Sequence, residues 1–197
     1  GDADIAKILH HMYKDEFACA ALKADKWYRY SRHRWVEDES GTSLRRHISD
    51  ELRNAYRKKC DEFSQKLCDK NQTEENLKKY ESLANKVLEI IVKLGQTTHK
   101  DHILKEAREL FYDPELKFLD LLDSNPYLMC FENGVLDIKA GEFRPGRADD
   151  YLEKSTKIDY IELDEVKHSK QIAEINDFME KLFPIKQTSL PYFIASL

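Results

Sequence analysis

The sequence predicts an α+β fold: a mostly helical N-terminal part with an aromatic β-hairpin, then a small antiparallel β-meander and C-terminal helices. Two observations predict it. Apolar residues recur at helical spacing through most of the first 112 residues, whereas residues 127–146 hold three short apolar runs separated by turn dipeptides. A chain of 197 residues with 41% hydrophobic content is long enough to bury a core.

Helical periodicity accounts for most of the predicted elements. The first helix is predicted over residues 3–22, with Ile5, Leu9 and Phe17 on its apolar face. Gly41-Thr-Ser43 offers an N-cap, and a long helix is predicted over residues 43–69. The later helices are predicted from about residue 74 to Gly95, from Thr97 or Thr98 through Leu110, from the Asp113-Pro114 pair through Leu122, and over residues 164–182.

The predicted strands are short and are separated by turn residues. Residues 27–30 and 33–37 form an aromatic hairpin within the segment 26–37. In the meander of residues 127–146, Asn133-Gly134 favours the two positive φ angles of a type I′ turn. Ala140-Gly141 supplies the second turn, and Pro145-Gly146 ends the third run. A further strand is predicted near residues 155–161.

Charge is distributed unevenly along the chain, although the net charge is −5. Residues 23–67 contain 12 lysines and arginines against 8 acidic residues, a difference of +4. Residues 113–197 contain 10 against 17, a difference of −7. The acidic half is therefore not expected to contact phosphates by itself.

The sequence excludes a nucleotide-binding P-loop and shows no nucleotidyl-transfer centre. A P-loop requires a lysine directly after its last glycine, and none of the six glycines is followed by lysine. Nucleotidyl transfer needs paired carboxylates that hold two metal ions. Asp149-Asp150 is the nearest candidate pair and Asp137 stands alone in the meander, so we expect solvated carboxylates and no catalytic residue in this chain.

Metal-binding and nucleophilic motifs are weak in this sequence. His99 and His102, with Asp101, have the spacing of ligands on one helix face, but two histidines do not complete a site, so capping and surface roles are favoured. No bound metal or cofactor is expected. The four cysteines form no C-x-x-C pair, which is typical of free thiols in a reducing compartment.

A basic and aromatic segment is the best candidate for nucleic-acid binding. Lys26-Trp-Tyr-Arg-Tyr-Ser-Arg-His-Arg-Trp35 interleaves cations, which follow phosphates, with rings on which bases stack. The alternative is a structural hairpin in which both tryptophans point into the core and the arginines are solvated. The candidate nucleic-acid-binding residues are Arg29, Arg32, Arg34, Trp35, Arg45, Arg46 and Arg53.

The C-terminal apolar run is a candidate interface. It either closes the core of this domain or forms an exposed face that packs against a partner. The run ends without a polar tail, which indicates a fragment of a longer polypeptide. The candidate interface residues are Phe183, Tyr192, Phe193 and Leu197.

Several motifs resemble those of one protein family. Phe131-Glu-Asn-Gly-Val-Leu-Asp-Ile138, then Gly141-Glu-Phe-Arg-Pro145 and Asp149-Asp-Tyr151, resemble the domain that precedes the superfamily-3 helicase module in poxvirus-type and other large-DNA-virus primase–helicases. Related phage and plasmid primases carry the same domain. Lys26-Trp-Tyr-Arg-Tyr30 with Arg34-Trp-Val36 resembles the family's early hairpin, and Leu182-Phe-Pro184 resembles its connection to the helicase collar.

The order of predicted elements gives a mainly helical subdomain at 1–112 and a small α+β subdomain at 113–182. The resemblance implies that residues 183–197 begin the connection to a following helicase collar, and it implies a role in viral DNA replication. The expected role is a non-catalytic domain that links a primase to a hexameric, ATP-dependent DNA helicase and assists DNA engagement or assembly. ATP and Mg²⁺ would bind the parent helicase, not this part of it.

The expected partners and location follow from the same resemblance. They are single-stranded or forked DNA, the helicase domain of the same chain, other subunits of a ring and replication proteins, inside the infected cell in a cytoplasmic virus factory or the nucleus. No membrane partner is expected, because no apolar run reaches the 18 residues that a span requires. The alternative function is a protein–protein interaction or oligomerisation domain without nucleic-acid affinity, which the sequence pI of about 5.9 favours.

Overall fold

The computed structural model describes residues 1–69 and 72–182 and confirms the α+β fold. The chain divides into two compact units, Gly1–Asp159 and Tyr160–Leu197. In chain order the helices and strands are α1 (Asp2–Tyr13), β1 (Phe17–Ala21), β2 (Lys26–Ser31), β3 (Arg34–Glu39), α2 (Thr42–His47), α3 (Arg53–Leu67), α4 (Glu74–Gly95), α5 (Thr97–Phe111), α6 (Phe118–Leu121), β4 (Leu128–Phe131), β5 (Gly134–Asp137), β6 (Glu142–Arg144) and α7 (Ser169–Leu182).

The antiparallel sheet β1-β2-β3 is buried on both faces. One face packs against the helices: Trp27 of β2 lies fully buried with Phe17 and Cys19 of β1. This main core also takes in apolar residues of α1, α2, the turn after α2, α4 and α5. They are Ile5, Ala6, Leu9, Tyr13, Leu44, Ile48, Leu52, Leu94, Ile103, Ala107 and Phe111.

The opposite face of the sheet carries a second, aromatic core. Tyr28 of β2 and Trp35 of β3 pack there against Phe118 of α6. The ring of Tyr30 joins this cluster beside Trp35. Because successive strand residues point to opposite faces, a strand buried on both sides carries aromatics at consecutive positions. Polar and apolar residues therefore do not alternate regularly along the hairpin, because β2 is buried on both faces.

The predicted first helix is wrong at its C-terminal end. α1 stops at Tyr13, and Phe17–Ala21 is a strand whose register pairs Phe17 with Arg29 and Ala18 with Tyr28. A run of five small and apolar residues has no period long enough to separate helix from strand. The segment is a strand because it pairs with β2, and the sequence pattern does not reveal this pairing.

The predicted long helix of residues 43–69 is helical from Thr42 to Leu67 but is not regular. α2 and α3 are joined by a π-helical turn, Ile48–Leu52, which keeps both Ile48 and Leu52 in the main core. Beyond this turn α3 buries none of its residues and packs along α4. α4 begins after Thr73, whose side-chain oxygen accepts a hydrogen bond from the backbone N–H of Asn76 at 3.4 Å.

The predicted β-meander is confirmed as the antiparallel sheet β4-β5-β6, but its first turn is not type I′. Neither Asn133 nor Gly134 has a positive φ. A Cβ at Gly134 would lie 2.5 Å from the Phe143 ring and 2.8 Å from the Arg144 carbonyl, so this glycine provides space. The second turn follows the prediction, because Gly141 has a φ of +66°.

Three further predicted elements differ from the structure. The side chain of Asp113 accepts hydrogen bonds from the backbone of Glu115 and Leu116, but that turn ends at Lys117, and α6 begins only at Phe118. The left-handed conformation of Lys117, with a φ of +45°, separates the two. Residues 155–161 form no strand, although two of their backbone hydrogen bonds reach β4 and the residue after it: Thr156 to Cys130 and Glu132 to Ile158. α7 starts at Ser169 instead of residue 164.

The Arg144–Asp150 ion pair closes the meander onto the following 3-10 turn, Ala148–Asp150. Two guanidinium nitrogens of Arg144 donate to the two carboxylate oxygens of Asp150 at 2.8 and 2.7 Å. The Asp150 side chain is only 7% exposed. Burial alone would raise the pKa of Asp150, but the hydrogen bonds from Arg144 and from the Arg147 N–H hold this pKa below its ordinary value. Asp150 is therefore not the solvated carboxylate that the sequence predicted.

We expect Asp150→Ala to lower the free energy of unfolding by about 3 kcal/mol, because it leaves the largely buried Arg144 without its partner. The neighbouring Asp149 is exposed and provides the control, since Asp149→Ala should change stability by less than about 0.5 kcal/mol. Urea unfolding at neutral pH measures both.

The lowered pKa means that the pair stabilises the fold above the ordinary aspartate pKa and loses this effect as the pH falls through the lowered value. The difference in free energy of unfolding between wild type and Asp150→Ala should therefore become smaller in acid. Equal losses of stability in Asp150→Ala and Asp149→Ala at neutral pH would contradict the assigned ion pair.

Candidate nucleic-acid interface

The hairpin aromatics are structural and are not offered to a base. Trp35 is 4% exposed, and its indole N–H donates to the Ala148 carbonyl at 2.8 Å. Trp27 is fully buried, and its indole N–H donates to Asp25 at 3.1 Å. A ring stacks on a base only if one of its faces can be reached. Stacking by Trp35 is therefore incompatible with this fold, and both tryptophans are buried as the structural alternative expects.

Two of the hairpin arginines are occupied by contacts within the domain. The Nε of Arg29 donates to Glu16 at 2.8 Å, and its guanidinium lies 5.6 Å from the centre of the Phe17 ring. Arg34 donates to the backbone carbonyl of Glu153 at 3.2 Å. Arg32 differs from both, because it lies exposed in the turn between β2 and β3 with a φ of +48°.

The helix arginines divide in the same way. The Nε of Arg45 donates to Asp101 of α5 at 2.8 Å. The Nε of Arg53 donates to the Ile91 carbonyl of α4 at 3.1 Å, which ties α3 to α4. Arg46 is exposed. Of the arginines predicted to bind nucleic acid, Arg32 and Arg46 are the two that combine an exposed side chain with no assigned internal partner among the described residues.

A polar network at the edge of the main core explains the position of Arg29. The Tyr13 hydroxyl donates to Glu51 at 2.6 Å, and the His47 ring, stacked on Tyr13, lies with its Nδ1 2.9 Å from the same carboxylate. The other ring nitrogen of His47 is 4.0 Å from Glu16, the partner of Arg29. Burial and the bond to Glu51 raise the pKa of Tyr13, and the Tyr13 hydroxyl lowers the pKa of Glu51. The network joins α1, β2 and the turn after α2, so we assign it a structural role.

The meander exposes an apolar surface that the sequence analysis did not single out. The register places Met129 opposite Leu136 and Leu136 opposite Phe143, so apolar side chains form a row across the three strands. The opposite face, with Cys130 and Val135, is buried against Leu152. The backbone bond from Ile138 to Tyr127, at 2.8 Å, extends the row. We define the outer meander face as Tyr127, Met129, Phe131, Leu136, Ile138 and Phe143.

The predicted interface residues Phe183, Tyr192, Phe193 and Leu197 lie outside the described residues. Within the second unit, α7 exposes an apolar stripe of Ile175, Phe178 and Leu182. This stripe continues the apolar pattern toward the predicted interface. No helix among the described residues is long and apolar enough to cross a membrane.

The cysteines show no sign of nucleophilic activation. Burial raises the pKa of Cys19 to about 11 and also raises the pKa of Cys130. Both thiols are therefore protonated at neutral pH and enclosed by apolar neighbours. Cys60 and Cys68 lie at and beyond the outer part of α3 and form no disulfide. All four thiols are free, as predicted.

Comparison with known proteins gives a consistent family. A family model described as "D5 N terminal like" matches residues 6–184. The chain is 38% identical over 193 residues to "Putative helicase L207/L206" of Acanthamoeba polyphaga mimivirus and 31% identical over 188 residues to "Putative helicase 022R" of Frog virus 3. These matches cover 98% and 80% of the chain but 19% of each relative. "Putative helicase 121R" of Invertebrate iridescent virus 3 is 36% identical over 54% of the chain and 11% of its own length. The chain thus spans about a fifth of the length of the first two relatives.

Two tyrosine-to-phenylalanine variants test the polar network. Tyr13→Phe should lower the free energy of unfolding by about 1 kcal/mol, because it removes the bond to Glu51. Tyr30→Phe is the matched control: the buried Tyr30 hydroxyl has no hydrogen-bond partner among the described residues, so its removal should leave stability unchanged or raise it. Chemical unfolding of both variants at neutral pH gives the comparison. A larger loss in Tyr30→Phe than in Tyr13→Phe would contradict the assigned contacts.

Proposed function

This chain belongs to the D5 N-terminal-like family, and we propose that it is a non-catalytic domain that positions and assembles a viral DNA-replication helicase through protein contacts. Two relatives that are 38% and 31% identical to this chain are named putative helicases, and each is about five times as long as the chain. The helicase portion of the same polypeptide is the proposed occupant of the outer meander face. A priming module and neighbouring subunits of a ring are the further proposed partners.

One observation carries this function: the apolar outer meander face is exposed while most of the candidate DNA-binding side chains are engaged internally. Tyr127, Met129 and Ile138 are each more than 40% exposed and lie on one face of a three-stranded sheet. Clustered apolar surface of this kind marks protein contacts more often than phosphate contacts. Arg29, Arg45 and Arg53 each bind a group within the domain.

The catalytic machinery belongs elsewhere in the proposed polypeptide. A ring helicase of superfamily 3 binds ATP and Mg²⁺ through a P-loop, and the sequence of this chain contains none. ATP hydrolysis and unwinding are therefore assigned to the portion of the polypeptide outside this chain. Replication of a large viral genome would place the protein inside the infected cell, in a cytoplasmic virus factory or the nucleus.

Guidance of DNA is the second candidate, and the exposed Arg32 and Arg46 favour it. Arg32 lies in the β2–β3 turn, and Arg46 lies on α2 with no assigned internal partner. Two cations give a weak, strongly salt-dependent affinity, because each phosphate contact adds less than one unit to the salt slope. Two such cations suit transient contact with a strand that the helicase already holds.

The docking prediction uses the double variant Met129→Ser/Ile138→Ser. We expect it to weaken binding of this chain to the helicase portion, supplied as a separate polypeptide, by about tenfold or more, because burial of the outer meander face is lost. Isothermal titration calorimetry measures the affinity, and circular dichroism checks that the variant folds.

The matched control for docking lies on α1. Ile8 and Met12 are 42% and 43% exposed, close to the 41% of Met129. Ile8→Ser/Met12→Ser should leave the affinity within about twofold of wild type. If this control loses as much affinity as the meander variant, or if the meander variant binds normally, the outer meander face is not the docking surface.

The DNA prediction concerns labelled single-stranded and forked oligonucleotides. Fluorescence anisotropy should show weak binding at low salt that disappears at physiological salt. Arg32→Ala/Arg46→Ala should abolish the low-salt signal. Exposed Lys58 on α3 supplies the control, since Lys58→Ala also removes a surface cation but lies away from both arginines in sequence. Tight binding that persists at physiological salt would make DNA engagement the principal function.

A further inference from the structure

Three potential metal-ligand side chains converge between the start of α1 and the first turns of α5. The Nδ1 atoms of His99 and His102 lie 3.2 and 3.6 Å from the same carboxylate oxygen of Asp2. All three ligand atoms lie within 4.8 Å of one another. Asp101, which the sequence placed with these histidines, instead pairs with Arg45 at 2.8 Å. Asp2, which lies 97 positions before His99 in the sequence, supplies the carboxylate instead.

Packing of the main core holds the three residues in position. His99 and His102 are three residues apart on α5, so their side chains leave the same helix face. α1 runs along α5, with Ile5 and Leu9 buried in the same core as Ile103. Asp2 begins α1 and therefore meets α5 at the level of the two histidines.

The two nitrogen–oxygen separations are compatible with ligands of a tetrahedral cation. Nitrogen and oxygen ligands lie about 2.0–2.2 Å from zinc, which puts neighbouring ligand atoms about 3.3–3.6 Å apart at tetrahedral angles. The two measured separations, 3.2 and 3.6 Å, are close to this range. A hydrogen bond explains the first contact but not the second, since 3.6 Å exceeds hydrogen-bond distance.

We propose that Asp2, His99 and His102 form a binding site for a divalent transition-metal cation of the zinc class. Two imidazole nitrogens and one carboxylate oxygen suit Zn²⁺, Co²⁺ or Ni²⁺, whereas Mg²⁺ and Ca²⁺ prefer oxygen ligands alone. Asp2 and His99 are 24% and 30% exposed and His102 is 60% exposed, so the cation can enter from solvent and keep water as a fourth ligand. The cation fastens the first turn of α1 to α5.

The neighbouring charges leave the three ligands available. The Gly1 amine binds Asp4 at 2.9 Å, and Lys100 donates to Ser49 at 3.1 Å. Asp101 is held by Arg45. The three charged groups that adjoin the ligands in sequence, the Gly1 amine, Lys100 and Asp101, therefore have partners of their own. Asp2 is the carboxylate that lies against both imidazoles.

The test is calorimetric titration of the 197-residue chain, free of any affinity tag, with ZnCl₂ at pH 7.5, and a parallel Co²⁺ titration followed by absorption. We expect one equivalent of metal, a tetrahedral Co²⁺ spectrum without thiolate charge transfer, and a higher melting temperature with Zn²⁺. His99→Ala, His102→Ala and Asp2→Asn should each weaken binding by at least about tenfold and reduce the thermal shift.

Two controls separate this site from other metal ligands. His11 is an exposed histidine on α1 outside the cluster, and His11→Ala should bind zinc like wild type. Acetylation of Gly1 should also leave the affinity unchanged, because the amine is not among the three ligands. Absence of zinc binding, a thiolate charge-transfer band, or affinity that survives the three ligand variants would overturn the assignment. Unlike the docking and DNA experiments, this titration requires neither a helicase partner nor an oligonucleotide.

Discussion

Burial of one small sheet on both of its faces is the constraint on which this domain depends. β1-β2-β3 separates a helical core from an aromatic core, and the strand β2 contributes Trp27 to the first and Tyr28 to the second. Buried aromatics are among the most costly side chains to truncate, at about 3–5 kcal/mol each. The two cores are therefore coupled through one strand of six residues, and a change in β2 affects both. Polar groups of the sheet serve the same purpose, because Arg29 on the central strand and the Trp35 indole on β3 each connect the sheet to a neighbouring segment.

This arrangement shows why a basic and aromatic segment can be misread. In the sequence, alternating cations and rings match a surface for single-stranded DNA. In the fold, the rings fill two cores, and Arg29 and Arg34 satisfy Glu16 and the Glu153 carbonyl. Arg32, in the turn, keeps the exposure that such a surface requires. In this domain the interleaved arginines and aromatics therefore belong to a strand that is buried on both faces.

Periodicity and turn residues in the sequence predicted the elements that depend on interactions between neighbouring residues. The helical segments, the hairpin and the meander follow from periodicity and turn residues, and the family resemblance followed from the meander motif, which the family match now supports. Several of the wrong predictions depend on side-chain and strand contacts that sequence periodicity does not encode. β1 depends on pairing with β2, the space at Gly134 depends on Phe143, and Asp150 is paired with Arg144. Likewise, no spacing rule joins Asp2 to His99, because their proximity depends on the packing of α1 against α5. The outer meander face became visible only when the register assigned side chains to the two faces of the sheet.

The paired helices α3 and α4 have a consequence for how such domains can diverge. α3 buries no residue, and the buried residues of α4 lie from Ala84 onward, so the outer parts of the two helices contact mainly each other. The inner ends are anchored to the main core through Tyr56 of α3 and through Ile90 and Leu94 of α4. The packing of the two cores therefore does not fix the length of the outer turns, and whole helical turns could be added to both helices without disturbing the sheet or the meander.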